Sequence, residues 1–86
     1  MESILAIVSG HVQGVGFRWA TLEQAERLGL SGSVRNEADG TVRVEIEGER
    51  ADELLAWLYS GPPHAEVETV AVTRVPATGK DGFMVG

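Results

Sequence analysis

The segment of residues 10–18, GHVQGVGFR, contains the residue types best suited to chemistry in this chain of 86 residues. Three of its first seven positions are glycine, and a helical pattern starts directly after them. Glycine permits positive φ values and a close approach of the main chain, so that successive N–H groups can converge on one anion. The first turn of the helix adds unpaired N–H groups and the positive end of its dipole, and Arg18 adds a planar cation that matches phosphate oxygens. The segment therefore predicts an oxyanion site built from Gln13, Gly14, Val15, Gly16, Phe17 and Arg18.

Asn36 is the second residue whose type and position suggest chemistry. Counted from Val34, which should face the core, Asn36 lies on the same face of its strand, the face that the helices cover. An amide there can hold a water molecule without placing a negative charge near a phosphate. Taken alone, Asn36 would be a polar residue beside a turn. Its combination with the glycine-rich segment makes it a candidate catalytic residue together with Arg18.

The hydrophobic pattern predicts the elements that must position these residues. Residues 3–9 form a continuous apolar run, which is typical of a central strand covered on both faces. Further strands are expected at residues 31–37, 41–48, 66–75 and 83–85, and helices from Phe17 to Leu28 and over residues 49–59. This order predicts an α+β fold, a ferredoxin-like βαββαβ sandwich in which an antiparallel sheet carries two helices on one face. A single domain over residues 1–86 is expected.

Details of the second half sharpen this expectation. Asp39-Gly40 between two strand patterns indicates a hairpin, and the strand after it alternates Val42, Val44 and Ile46 with charged residues that should face water. In the second helix, Ala51, Leu54, Leu55 and Leu58 fall within an arc of about 100°, the stripe of a helix that lies on a sheet. Trp57 and Tyr59 flank this stripe and are expected to pack.

Composition limits the classes of partner. The chain has seven basic and thirteen acidic residues, a formal net charge of −6, which disfavours nucleic acid and anionic membranes. It has no cysteine, so neither disulfides nor thiolate metal sites are available, and His11 and His64 lack ligand spacing. The apolar run near the N-terminus is too short to span a membrane, and Glu2 stands where a secretory signal would carry positive charge. A cytoplasmic protein without a metal is expected, and a monomer, because no sizeable exposed apolar patch can be inferred.

These motifs together resemble the acylphosphatase family. Residues 10–18 match its first signature, Gly-x-Val-Gln-Gly-Val-x-Phe-Arg, at each specified position. The second signature, Gly-x-Val-x-Asn followed by Asp-Gly-x-Val, is met by Gly32, Val34, Asn36, Asp39, Gly40 and Val42. The segment from residue 61 to 68 is similar to the family's approach to its fourth strand. The last strand departs from the pattern, since the family's Arg-Tyr tail is absent from residues 83–86, FMVG, and a weaker sheet edge is expected there.

The resemblance implies hydrolysis of acyl phosphates to carboxylate and phosphate without a metal or other cofactor. The substrate would be a small-molecule acyl phosphate, with phosphate or sulfate as a product-like ligand. Arg18 would bind the phosphoryl group and Asn36 would orient the attacking water. Neither motif contains a His, Asp or Glu placed as a general base, so the bound phosphate itself is expected to accept the water's proton.

Two other functions compete with this hypothesis. A ferredoxin-like RNA-binding module is disfavoured, because residues 41–47 present Thr41, Arg43, Glu45 and Glu47 and no aromatic side chain on which a base could stack. A non-catalytic anion-sensing module that keeps the same loop but lacks turnover stays open.

Overall fold

A computed structural model of the chain describes residues 2–86 and contains the expected elements in the expected order. The strands are β1 (Glu2–His11), β2 (Ser31–Asn36), β3 (Val42–Glu47), β4 (Glu66–Pro76) and β5 (Phe83–Val85), and the helices are α1 (Phe17–Arg27) and α2 (Ala51–Leu58). Each boundary lies within two residues of the one predicted from sequence. The α+β ferredoxin-like fold is confirmed. No helix in the described range is long and apolar enough to cross a membrane.

The five strands form one sheet in the order β4-β1-β3-β2-β5. The first four pair antiparallel, whereas β5 runs parallel to β2, with Phe83 opposite Gly32 and Val85 opposite Val34. The sheet is therefore mixed rather than purely antiparallel. The reason is topological: the chain leaves β4 at one edge and crosses the whole sheet before it adds β5 at the other. β5 pairs with β2 at this edge although residues 83–86 lack the Arg-Tyr pattern.

One face of the sheet carries the core. The side chains of Ile4, Ala6 and Val8 in β1 are at most 1% exposed, as are those of Val42, Val44 and Ile46 in β3. α1 packs on β2 and β5, and α2 packs on β1 and β3, with the two helices in contact. The expectation that β1 is covered on both faces was wrong, because Leu5 and Ile7 on its other face are only half-buried. Within residues 2–86 both helices occupy the same side of the sheet, and the opposite face carries no helix.

The predicted stripe of α2 is confirmed in its main positions. Ala51, Leu54 and Leu58 are buried, and Leu55 is packed against the core at partial exposure. Trp57 packs as expected, whereas Tyr59 is 56% exposed, so its assignment as a packing residue was wrong. Tyr59 directly follows the last residue of α2 and lies outside its apolar stripe.

Glu47 organises the crossing between β4 and β5. One carboxylate oxygen accepts hydrogen bonds from the main-chain N and Oγ1 of Thr78 at 3.0 and 2.8 Å, and the other accepts from the main-chain N of Gly79 and Lys80 at 3.1 and 3.2 Å. The alternating pattern of β3 predicted Glu47 on a wet face, yet the residue is only 4% exposed. The crossing chain covers it, which the pattern of one strand cannot reveal.

Candidate active site

The loop between β1 and α1 takes its shape from two glycines. Gly14 and Gly16 adopt φ values of 75° and 77°, in the left-handed region that other residues rarely enter. A Cβ atom at either position would meet nothing within 4 Å, so glycine is required by the backbone conformation and not by a lack of space. Gly16 is also the N-cap of α1, and within residues 2–86 no side chain caps this helix. The N–H groups of the first turn are therefore available to a ligand.

Phe17 fixes the start of α1 in the core. Its side chain is 2% exposed, and its ring centroid lies 5.8 Å from that of Trp57. Gly61 lies so close to the ring that an added Cβ would approach Cε2 of Phe17 to 2.7 Å. Burial of a phenylalanine side chain contributes about 2–3 kcal/mol to folding. The first residue of the helix is thus anchored, and the glycine loop before it is held in place.

Arg18 lies one residue further along the first turn and has a partner that the sequence did not suggest. Its Nη1 donates a hydrogen bond of 2.5 Å to the main-chain oxygen of Gly86. Gly86 is itself held, since its N–H donates to the main-chain oxygen of Val34 at 2.8 Å. A guanidinium has five N–H donors, so this bond orients Arg18 and leaves other donors for a ligand. Gly86, the residue after β5, therefore positions the arginine, which no local motif indicates.

Asn36 ends β2 and stands opposite Val42 in the hairpin with β3. Asn36 is exposed; the alternation from buried Val34 places it on the helix-covered face, and it lines the same pocket as Arg18. The hairpin beyond it is closed by Asp39, whose carboxylate accepts bonds from the N–H and Oγ1 of Thr41 at 3.0 and 2.6 Å. These bonds lower the pKa of Asp39. Asn36 is thus brought to the glycine loop by a defined turn.

Gln13 and Val15 are placed differently from the other residues of the predicted oxyanion site. The Gln13 side chain turns away from the pocket and donates to the main-chain oxygens of Glu37 and Thr41 at 2.8 and 3.0 Å. Val15 packs against the core. Gln13 and Val15 can therefore contribute only their main-chain N–H groups to an anion site. That these groups bind an anion stays a prediction. The side chain of Gln13 instead joins the glycine loop to the hairpin that follows Asn36.

The pocket formed by these elements has a volume of about 100 Å³. It is lined by Val12, Gly14, Gly16, Phe17, Arg18, Trp19 and Asn36. Among these described lining residues Arg18 alone carries a charge. The structure therefore brings together five of the predicted site residues, Gly14, Gly16, Phe17, Arg18 and Asn36, and adds Val12 and Trp19. Val12 is a specified position of the signature matched by residues 10–18, but its type did not suggest a site residue, and Trp19 directly follows that segment and carries no motif signal.

A larger depression of about 450 Å³ lies near the hairpin and suits an anion poorly. Its lining includes Ile7, Thr41 and Arg43 together with the carboxylates of Glu37 and Asp39. Two negative side chains against one guanidinium disfavour a phosphoryl group there. Among residues 2–86 no group of three His, Cys, Asp or Glu side chains could hold a metal ion.

A ferredoxin-like sheet with a glycine loop, a free helix N-terminus and an arginine around one small pocket defines a domain suited to phosphoryl chemistry. Comparison with known proteins agrees. The acylphosphatase family model matches residues 4–85. An acylphosphatase of Rubrobacter xylanophilus is 58% identical over 80 residues, which cover 91% of this chain and 73% of that protein. One of Pseudomonas aeruginosa is 56% identical over 82 residues, which cover 93% and 90%.

The fold comparison gives the same result. The crystal structure of acylphosphatase from Bacillus subtilis superposes with a TM-score of 0.94 at 34% identity, over 100% of this chain and 99% of that one. The chain belongs to the acylphosphatase family. It is therefore an enzyme, a hydrolase that acts on acyl phosphates.

Proposed function

We propose that this enzyme cleaves the carboxyl-phosphate bond of acyl phosphates at phosphorus, without a metal ion, using Arg18 and the glycine loop to bind the phosphoryl group and Asn36 to orient water. The observation that carries the proposal is the small pocket in which Arg18, the glycine loop and Asn36 meet. Family membership supports the reaction class, and the pocket supports the residue roles.

The first step is binding of the phosphoryl group. Main-chain N–H groups between Gln13 and Phe17 and the guanidinium of Arg18 surround the equatorial oxygens, on which negative charge accumulates in the transition state. The bond from Arg18 to Gly86 supports this role, because a guanidinium already held in place loses less conformational entropy when the substrate binds. These groups provide the positive charge, so the proposed mechanism uses no metal ion.

The second step is attack by water. The Asn36 amide holds one water molecule, whose oxygen forms a bond to phosphorus while the bond from phosphorus to the acyl oxygen breaks. The carboxylate leaves with the electron pair of the broken bond and is a good leaving group, so no protein acid is required. The water's proton passes to a phosphoryl oxygen, and the products are a carboxylate and inorganic phosphate. Asn36 contributes orientation, which lowers the entropic part of the barrier.

The remaining expectations concern the setting of the enzyme. We expect a cytoplasmic monomer that binds phosphate or sulfate as a product-like ligand and binds neither nucleic acid nor membranes. The net charge of −6 supports this expectation, because the surface as a whole repels polyanions and leaves anion binding to the local pocket.

The test is hydrolysis of benzoyl phosphate by the full chain in the presence of a metal chelator and in water labelled with ¹⁸O. We expect turnover that is insensitive to the chelator, competitive inhibition by inorganic phosphate, and label found in the phosphate. Label in the benzoate would show attack at the acyl carbon and contradict the mechanism. Phosphate binding without turnover would instead identify a non-catalytic anion sensor.

A further inference from the structure

Trp19 is an exposed aromatic residue on the rim of the pocket. In the described part of the chain the large apolar side chains that are exposed are Trp19, Tyr59, Val72 and Met84. Of these, Trp19 alone lines the pocket, and it is 64% exposed. An indole left in water forgoes the stabilisation that its burial would give. Its position directly after Arg18 places this apolar surface beside the phosphoryl site.

The size of the pocket determines where the acyl group must lie. Pockets that enclose a whole small molecule measure roughly 300–1,000 Å³, whereas this one has about 100 Å³. This volume can hold a phosphoryl group, but it leaves no room for the acyl group as well. Because the acyl carbon is joined to phosphorus through a single oxygen, the acyl group must emerge directly at the rim.

The other lining residues cannot provide a surface for it. Val12 and Phe17 are buried at 1% and 2% exposure, and the glycines have no side chain. Arg18 and Asn36 are assigned to the phosphoryl group and the water. Trp19 is the remaining lining side chain. Because Arg18 is also the one charged lining residue, the rim offers no second cation to an acyl group that carries its own negative charge.

We propose that Trp19 forms an acyl subsite that selects acyl phosphates with planar, uncharged apolar acyl groups, such as aroyl phosphates, over small acyl phosphates such as acetyl phosphate. The proposal rests on the proposed function, since it presupposes a phosphoryl group in the pocket. The indole offers its π-face to a flat acyl group, and such aromatic pairs are favoured in offset or edge-to-face geometry.

The test compares benzoyl phosphate with acetyl phosphate in the full chain. For Trp19→Ala we expect the ratio of kcat/KM for benzoyl phosphate to that for acetyl phosphate to fall about 10-fold, chiefly through KM for benzoyl phosphate. Because the ratio of the variant is compared with that of the wild type, the intrinsic difference in reactivity between the two substrates cancels. Inhibition by inorganic phosphate should keep its wild-type strength, because phosphate has no acyl group. Trp19→Phe should retain most of the preference and Trp19→Gln should lose it.

Tyr59→Ala is the matched control, since Tyr59 is an aromatic residue of similar exposure outside the pocket lining, and it should keep the wild-type ratio. An unchanged ratio in Trp19→Ala and Trp19→Gln overturns the acyl subsite. Weaker inhibition by phosphate in the same variants also overturns it, because Trp19 would then act on the phosphoryl pocket. These outcomes differ from failure of the proposed function, in which the wild-type chain hydrolyses neither substrate.

Discussion

The two ends of β3 differ in how they relate to an anion: one binds a carboxylate of the chain itself, and the other lies beside the pocket that we propose binds a phosphoryl group. At the end of the strand, the N–H groups of Thr78, Gly79 and Lys80 converge on the carboxylate of Glu47. At its start, Val42 stands opposite Asn36, which lines the small pocket together with Gly14, Gly16 and the first turn of α1. In the first region the anion belongs to the chain, and in the second the proposed anion is a phosphoryl group from solution.

A main-chain anion site is structural when its anion is a side chain of the same protein, and it can serve catalysis when its anion is a ligand. Glu47 is tethered and nearly fully buried, and its bonds lower its pKa to about 2, with those from Thr78 the largest cause. It is therefore ionised and bound at any ordinary pH, and it fixes the crossing to β5. The glycine loop has no such tethered acid in the pocket lining. In the proposed function the anion at this site is the substrate or the product, which must exchange with solution for turnover.

The two regions are also connected through β5. The crossing held by Glu47 leads into β5, and the residue after β5, Gly86, accepts a hydrogen bond from Arg18. The carboxylate site of Glu47 and the proposed phosphoryl site are thus linked along the chain through β5. Three substitutions and one pH series test the contributions of the two regions separately.

The largest effect is expected from Arg18→Ala. Loss of the one charged group in the pocket should lower kcat/KM for benzoyl phosphate about 10²- to 10³-fold, the usual result of removing a donor to transition-state charge, and should weaken inhibition by phosphate in parallel. Arg50→Ala removes an arginine that pairs with Glu53 on α2, outside the pocket lining, and serves as the control for charge alone. Activity of Arg18→Ala equal to that of Arg50→Ala would show that the pocket is not the phosphoryl site.

A smaller and more selective loss is expected from Asn36→Ala. If Asn36 orients water, kcat should fall about 10- to 100-fold through loss of positioning, while inhibition by inorganic phosphate remains close to wild type. Steady-state kinetics with phosphate as inhibitor measure both quantities in one series. Near-normal turnover in Asn36→Ala would rule out the water-holding role and leave Asn36 as a residue of the hairpin.

Glu47→Gln is expected to act on stability before activity. The neutral amide has one acceptor oxygen and turns an NH₂ group toward main-chain donors, so some of the four hydrogen bonds to residues 78–80 are lost. We expect the Tm to fall by roughly 5 °C, measured by circular dichroism. Glu49→Gln, an exposed residue two positions further on, is the control and should leave the Tm unchanged. A Tm of Glu47→Gln equal to wild type would contradict the structural role of this carboxylate.

The smallest expected effect is a difference in acid sensitivity. Glu47 has a folded pKa of about 2 against an ordinary value of 4.5, so its stabilising contribution is complete above pH 4.5 and is lost as pH falls toward 2. The difference in Tm between wild type and Glu47→Gln should therefore shrink over this range. The pKa values of Asp39, Glu45 and Glu53 are also lowered and act on both proteins alike. A constant difference in Tm from pH 6 to pH 2 would mean that Glu47 is not bound as an anion.

Several elements could be predicted because their signals are local. Residues close in sequence predict the left-handed conformation of Gly14 and Gly16 and the start of α1 at Phe17. They also predict, by alternation along β2, that Asn36 lies on the helix-covered face. The same local reasoning gave two wrong predictions: that β1 is covered on both faces, and that Glu47 faces water. A period-two pattern identifies two faces of a strand, but it does not say what covers each of them.

The amino-acid sequence by itself determined the strand and helix order, the left-handed glycines before α1 and the presence of Arg18 in its first turn, because backbone sterics and hydrophobic periodicity act over a few residues. Tertiary structure alone decided the contacts of Arg18 with Gly86, of Gln13 with the hairpin and of Glu47 with residues 78–80. These pairs are 68, 24 to 28 and 31 to 33 residues apart in sequence. Hydrogen bonds over such separations require that the sheet first bring the strand ends together, and no local preference encodes that closure.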